Sequence, residues 1–189
     1  LVVNTESGAR IAMTVPRKEI FIKHQPHYYH CFARCVRRAF LCGFDALTGR
    51  SFEHRRTWIK QRLAFLVQVF AIEVAAFAIM MNHLHSIVRN RPDVARTWSP
   101  EEVARRWRLL CPLRKNQDGS PCEPSPEEIQ AIVIQPKLVK CYRERLCSLS
   151  WFHRCLNEHI ARKANLEDEC TGHFWEGRFR SERLDTTAA

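Results

Sequence analysis

A chain of 189 residues, 46% apolar and 26% charged, carries enough apolar surface for one domain with a sizeable core and is too short for two average domains. Its 30 Lys and Arg against 20 Asp and Glu give a formal charge of +10, which favours polyanionic partners, nucleic acid first, or marks only a basic surface. Nine cysteines without a CxxC pair argue against a zinc ribbon and read as reduced thiols. The longest apolar run, 69–81, carries Glu73 and is shorter than the ~20 residues of a membrane helix, so the chain reads as soluble.

Residues 1–24 read as a lead ahead of the domain, partly disordered, in which Met13 is a plausible translation start. From Tyr28 to Val36, "YYHCFARCV" is aromatic and β-branched enough for a strand, ended by the basic "RRAF" and the turn-prone "CGFDALTGR". A helix is expected over 52–70, where Ile59, Leu63, Leu66 and Phe70 recur at helical spacing and Arg55, Arg56, Lys60 and Arg62 supply a solvated basic face. "IEVAAFAIMMNHLHSIVRN" then reads as an antiparallel hairpin with the histidines opening its second strand. On that strand His83 and His85 share one face, roughly 6–7 Å apart along the chain, while Leu84 and Val88 point to the other.

A strand, helix, strand, strand start predicts an α+β fold, a ferredoxin-like antiparallel sheet with helices on one face. Residues 91–147 read as a helical insertion into a single domain spanning 25–189. Within it "SPEEV" at 99–103 and "SPEEI" at 125–129 each place Ser at an N-cap, Pro in the first turn and Glu three residues on, and a further helix follows Pro136. A last helix is expected at 149–164, with Leu149, Phe152, Leu156 and Ile160 inward and His153, Arg154, His159, Arg162 and Lys163 on the other side. The tail "GHFWEGRFRSERL" interleaves Phe174, Trp175 and Phe179 with Arg178, Arg180 and Arg183, a mixture suited to single-stranded nucleic acid or to docking against the body. Arg154, Arg162, Lys163, Trp175, Arg178 and Arg180 are therefore the candidate DNA-binding residues.

An HxH pair alone is a weak signal, since other metal enzymes use it and many such pairs are structural. With its surroundings, "MMNHLHSIV" preceded by "FAIEVAAFAI" resembles the His-hydrophobe-His (HUH) motif of the IS200-like, REP-associated tyrosine transposases. "YYHCFARCVRRAFLCG", "SFEHRR" and "SWFHRCLNEHIARKANLEDECTGHFWEGRFRSE" extend the resemblance in the same order over most of the chain. The resemblance implies a homodimer that binds single-stranded or hairpin DNA in the bacterial cytoplasm, associated with the nucleoid. It further implies nicking and joining for DNA transposition, with Mg²⁺ or Mn²⁺ held by His83 and His85 and a tyrosine attacking phosphorus to leave a 5′-phosphotyrosine.

In that family the tyrosine follows the "GHFWEGRF" segment, in a Tyr-x-x-x-Asn-Pro stretch. No tyrosine stands there in this sequence, whose three are Tyr28, Tyr29 and Tyr142. Tyr142 is the in-chain candidate nucleophile, and Tyr28 and Tyr29 are expected to pack or cap the first strand. The expectation is a chain shortened at its C-terminus that keeps the metal pair and the DNA surface without the family's nucleophile. Two other functions fit the residues: a DNA- or RNA-binding module without chemistry, and a metallohydrolase built on HxH.

Overall fold

The computed structural model describes residues 21–22, 24–36 and 39–184. Most of the expected lead, the arginines of "RRAF" and the last five residues lie outside the described part. Strands β1 (Tyr28–Arg34), β4 (Ile72–Ile79), β5 (His83–Asn90) and β6 (Arg180–Leu184) form one antiparallel sheet in the order β4-β5-β1-β6. Helix α1 (Arg55–Val69) joins β1 to β4, and α6 (Leu149–Glu167) precedes β6. This is the expected ferredoxin-like arrangement, in which two strand–helix–strand halves interleave their strands. Two short strands, β2 (Phe44–Asp45) and β3 (Arg50–Ser51), pair in the turn-prone stretch before α1.

The sheet has one buried face because its strands alternate. Tyr29, Cys31 and Ala33 of β1 and Leu84 and Val88 of β5 are at most 5% exposed, and they pack with Ile59, Leu63 and Leu66 of α1 and Phe152, Leu156 and Ile160 of α6. Full burial of each Leu or Ile contributes about 1.5–3 kcal/mol. The β4–β5 turn is held from outside: the N–H groups of Leu41 and Cys42 donate to the carbonyl of Met81 at 2.7 and 3.3 Å. Gly43 follows with φ +91°, and a Cβ there would stand 3.4 Å from the Met81 side chain, so a residue other than glycine would be strained there. This contact fixes the start of β5.

The stretch between β5 and α6 is helical, as expected: α2 (Pro92–Thr97), α3 (Pro100–Leu110), α4 (Pro126–Val133) and α5 (Pro136–Leu146). The Ser99 and Ser125 side chains accept from the N–H groups of Glu102 and Glu128, and Ser125 completes a capping box. Among the described residues no helix is long and apolar enough to cross a membrane. All nine cysteines are free thiols.

Four local expectations are corrected. β1 ends at Arg34 rather than Val36, with Cys35 making only an isolated bridge to Trp175. Arg55 is not solvated: it is fully buried, donating from Nε to Glu167 at 2.7 Å, from one terminal nitrogen to Asp168 at 2.6 Å and from the other to the Phe40 carbonyl at 2.7 Å. A guanidinium satisfied on all three sides is one that can be buried. His153 lies inside rather than on the polar side of α6, stacked on Phe179 at 4.3 Å. The aromatics of the tail also turn inward: Phe174, Trp175 and Phe179 are 4–9% exposed, and Trp175 donates from its indole N–H to the Asn157 carbonyl at 2.8 Å. The docking alternative is the one this geometry matches, and the tail then continues as β6.

Candidate functional site on the open face of the sheet

Register decides which side chains share the second face. Phe32 stands opposite His85, Arg34 opposite His83 and His30 opposite Ile87, while Arg180 and Glu182 of β6 stand opposite Phe32 and His30. Opposite residues in antiparallel strands project to the same side. His83, His85, His30, Phe32 and Arg180 therefore share the face turned away from α1 and α6, and all are at least partly exposed.

His83 and His85 come together as the strand period predicts, with ring centroids 5.9 Å apart. The sequence did not single out the third member, His30, although its place two residues after Tyr28 on a strand put it on the same side. Its Nε2 lies 3.0 Å from Nδ1 of His85, with the two rings stacked at 5.3 Å. Phe32 flanks both His30 and His85, at 5.6 and 5.7 Å. Burial, and then the positive charge His30 and His83 would carry, push His85 below the usual histidine value. It is thus neutral at pH 7, the form that binds a metal or accepts a hydrogen bond.

The fit to a divalent ion can be judged on these atoms. With Nδ1 of His85 taken by His30, Nε2 is the nitrogen left to face a ligand, and His83 adds a second donor from the same strand. Among the described residues no group of three or more His, Cys, Asp or Glu side chains is placed to hold a metal ion. The pair therefore fits as a partial, two-nitrogen site, and an ion held there would need oxygen donors from outside these side chains to complete it.

The other predicted residues are dispersed. Arg180 lies on the histidine face, two strands from His85 with Phe32 of β1 between them. Arg154 and Arg178 line a groove of about 490 Å³ between α6 and the tail. Arg162 pairs with Glu158, and Lys163 sits over the Trp58 ring at 4.3 Å. Trp175 is buried beneath that groove and has no ring face open for stacking on a base. Tyr142 lies in the insertion, stacked on Trp107 at 4.1 Å, and Trp107 belongs to the core on the helical side of the sheet. The fold does not bring it beside the histidines. Tyr29 is buried, its hydroxyl accepting from the Ile22 N–H at 3.0 Å. Tyr28 does share the histidine face, but four residues before Phe32, about 13 Å along β1. No known family model matches the chain, and no curated protein matches it.

Proposed function

We propose that this chain is a nucleic-acid-binding protein of the HUH transposase type, which holds a divalent cation at His83 and His85 against a phosphate of single-stranded or hairpin DNA. One observation carries the reading: two histidines side by side on the open face of a ferredoxin-like sheet, with His30 bonded to one of them. The ion, Mg²⁺ or Mn²⁺, supplies charge stabilisation at a scissile phosphate when bound. His83 and His85 bind it, His30 orients His85, and Arg180, two strands over on the same face, offers a guanidinium to a neighbouring phosphate. Nicking and joining by a tyrosine is the reaction this resemblance implies, and pairing of two copies is its expected state.

The test is calorimetric titration with Mn²⁺ of the chain and of its His83→Ala and His85→Ala variants, followed by hairpin-DNA binding with and without the ion. Mn²⁺ affinity lost in either variant with the fold retained supports the reading. Affinity unchanged in both variants would sink it. A second reading, binding without chemistry, is favoured by Tyr142 lying on the other side of the sheet from the histidines. Salt-sensitive DNA binding with no covalent adduct selects it.

A further inference from the structure

Positive charge also gathers away from the histidine face. It lies where α1 and α6 meet the insertion, around Cys111 at the end of α3. The Cys111 thiol is exposed, and against the upward push of its partial loss of hydration act Arg108 of α3, Arg145 of α5, Arg154 of α6 and Arg62 of α1. Two of these guanidinium groups are held against one ring: Arg145 lies 4.6 Å and Arg154 5.1 Å from the centre of Trp151. Arg145 also lies 5.4 Å from the Trp107 ring, so aromatic faces fix it from two sides. Arg62 donates from Nε to the Cys155 carbonyl at 3.3 Å. The cluster continues along α6, where Trp151, Cys155, His159 and Lys163 recur every fourth residue, twelve positions or about 18 Å in all.

Acidic groups do not balance these charges. Glu158 faces Arg154 at 3.8 Å and is shared with Arg162. Glu128, whose charge reaches Arg108, is itself held by Arg114 at 3.0 Å. No carboxylate within ion-pair distance is described for Arg62, Arg108 or Arg145, and Nε of Arg108 is buried without a hydrogen-bond partner among the described residues. Guanidinium groups stacked on rings keep their N–H edges outward and have already lost side-chain freedom, the condition under which arginine best receives a phosphate. Two guanidinium groups so held, with Arg62 and Arg108 nearby, raise the folded state's own repulsion, which a polyanion relieves.

We propose that this cluster is a second nucleic-acid contact, seating the phosphates of a single strand along this ridge of α6, on the side of the sheet opposite His83 and His85. A single strand is more extended than a duplex strand at about 3.4 Å per step, so the ridge of about 18 Å has room for at most about five nucleotides. The inference rests only on the nucleic-acid half of the function proposed above and needs no metal.

The test uses a fluorescently labelled oligothymidylate without divalent ions. In the Arg145→Gln/Arg154→Gln variant, affinity should fall about tenfold or more, and the slope of log K against log salt should flatten by about 1.4, two phosphate contacts at 0.7 each. In the unsubstituted chain, saturating oligothymidylate should slow alkylation of Cys111 at least about fivefold, while Cys170, also exposed, reacts at its former rate. The His83→Ala/His85→Ala variant, once saturated with oligothymidylate, should keep the protection of Cys111. An oligonucleotide that binds while leaving Cys111 unprotected, with the same slope in the arginine variant, overturns this site and leaves the histidine face as the contact. Absence of any oligonucleotide binding overturns both.

Discussion

Nε2 of His30 and Nδ1 of His85 stand 3.0 Å apart across the β1–β5 ladder. One nitrogen of such a pair donates and the other accepts, so the bond selects a tautomer. When His85 presents Nε2 to a ligand, its Nδ1–H donates to a neutral His30. Partners of this kind commonly tune a metal site 10–100-fold. His30→Ala should therefore weaken Mn²⁺ binding by about that factor without abolishing it, whereas His85→Ala should abolish it. Calorimetry on the two variants, each checked for fold by circular dichroism, decides the matter; equal loss in both would make His30 a direct ligand.

Arg55 joins the start of α1 to the end of α6 through Glu167 and Asp168. Its removal leaves the Phe40 carbonyl without its donor, and leaves the partly buried Glu167 and Asp168 with only His54 and Arg50 beside them. Arg55→Ala should cost about 3 kcal/mol, the lower end for a broken buried pair because the acids retain some solvent. Urea unfolding measures it. A loss below about 1 kcal/mol would show that the clamp contributes little.

Acid should loosen the fold before its carboxylates titrate. His159 is open to solvent on one side, yet loss of hydration on the other and then the charges of Arg62 and Lys163 hold it down to about 4. Between its ordinary 6.5 and about 4 the unfolded chain binds a proton that the folded chain refuses, so stability falls as pH drops through that window and is level above it. His85 acts in the same direction. The urea midpoint should decline from pH 7.5 to pH 5, and His159→Gln should flatten the decline. A midpoint equally pH-dependent in the variant would remove His159 as the cause.

The 189-residue chain should form no phosphotyrosine adduct with hairpin DNA in Mn²⁺. Tyr142 is stacked in the insertion, and Tyr28 is too far along β1 to reach a phosphate at His85. An adduct that disappears with Tyr142→Phe or with Tyr28→Phe would overturn this, and would make that tyrosine the nucleophile.

The periodicities that recur within short windows were legible. The HxH strand, both Ser-Pro-Glu-Glu helix starts and the inward stripe of α6 follow from alternation and capping, which neighbouring residues dictate. What could not be read depends on residues distant in the chain. Arg55 looks solvated until Glu167 and Asp168, 112 and 113 positions away, are placed beside it. Trp175 and Phe179 look like a stacking surface until α6 covers them. His30 needed the β1–β5 register, which no local pattern supplies, and so did β6, whose "RSERL" has charge rather than apolar alternation.

The β1–β6 pairing sets Tyr28 opposite Leu184, at opposite ends of the described chain, whereas β4 and β5 are joined by a three-residue turn. Closing a loop of that length is slow compared with forming a hairpin or a helix. During synthesis β1 therefore waits with one edge unpaired until the insertion and α6 have emerged, and an edge waiting beside Tyr29 and Cys31 is one on which a second chain can add a strand. The charges of β6, Arg180, Glu182 and Arg183, then become the finished sheet's outer border and discourage such pairing once it is in place.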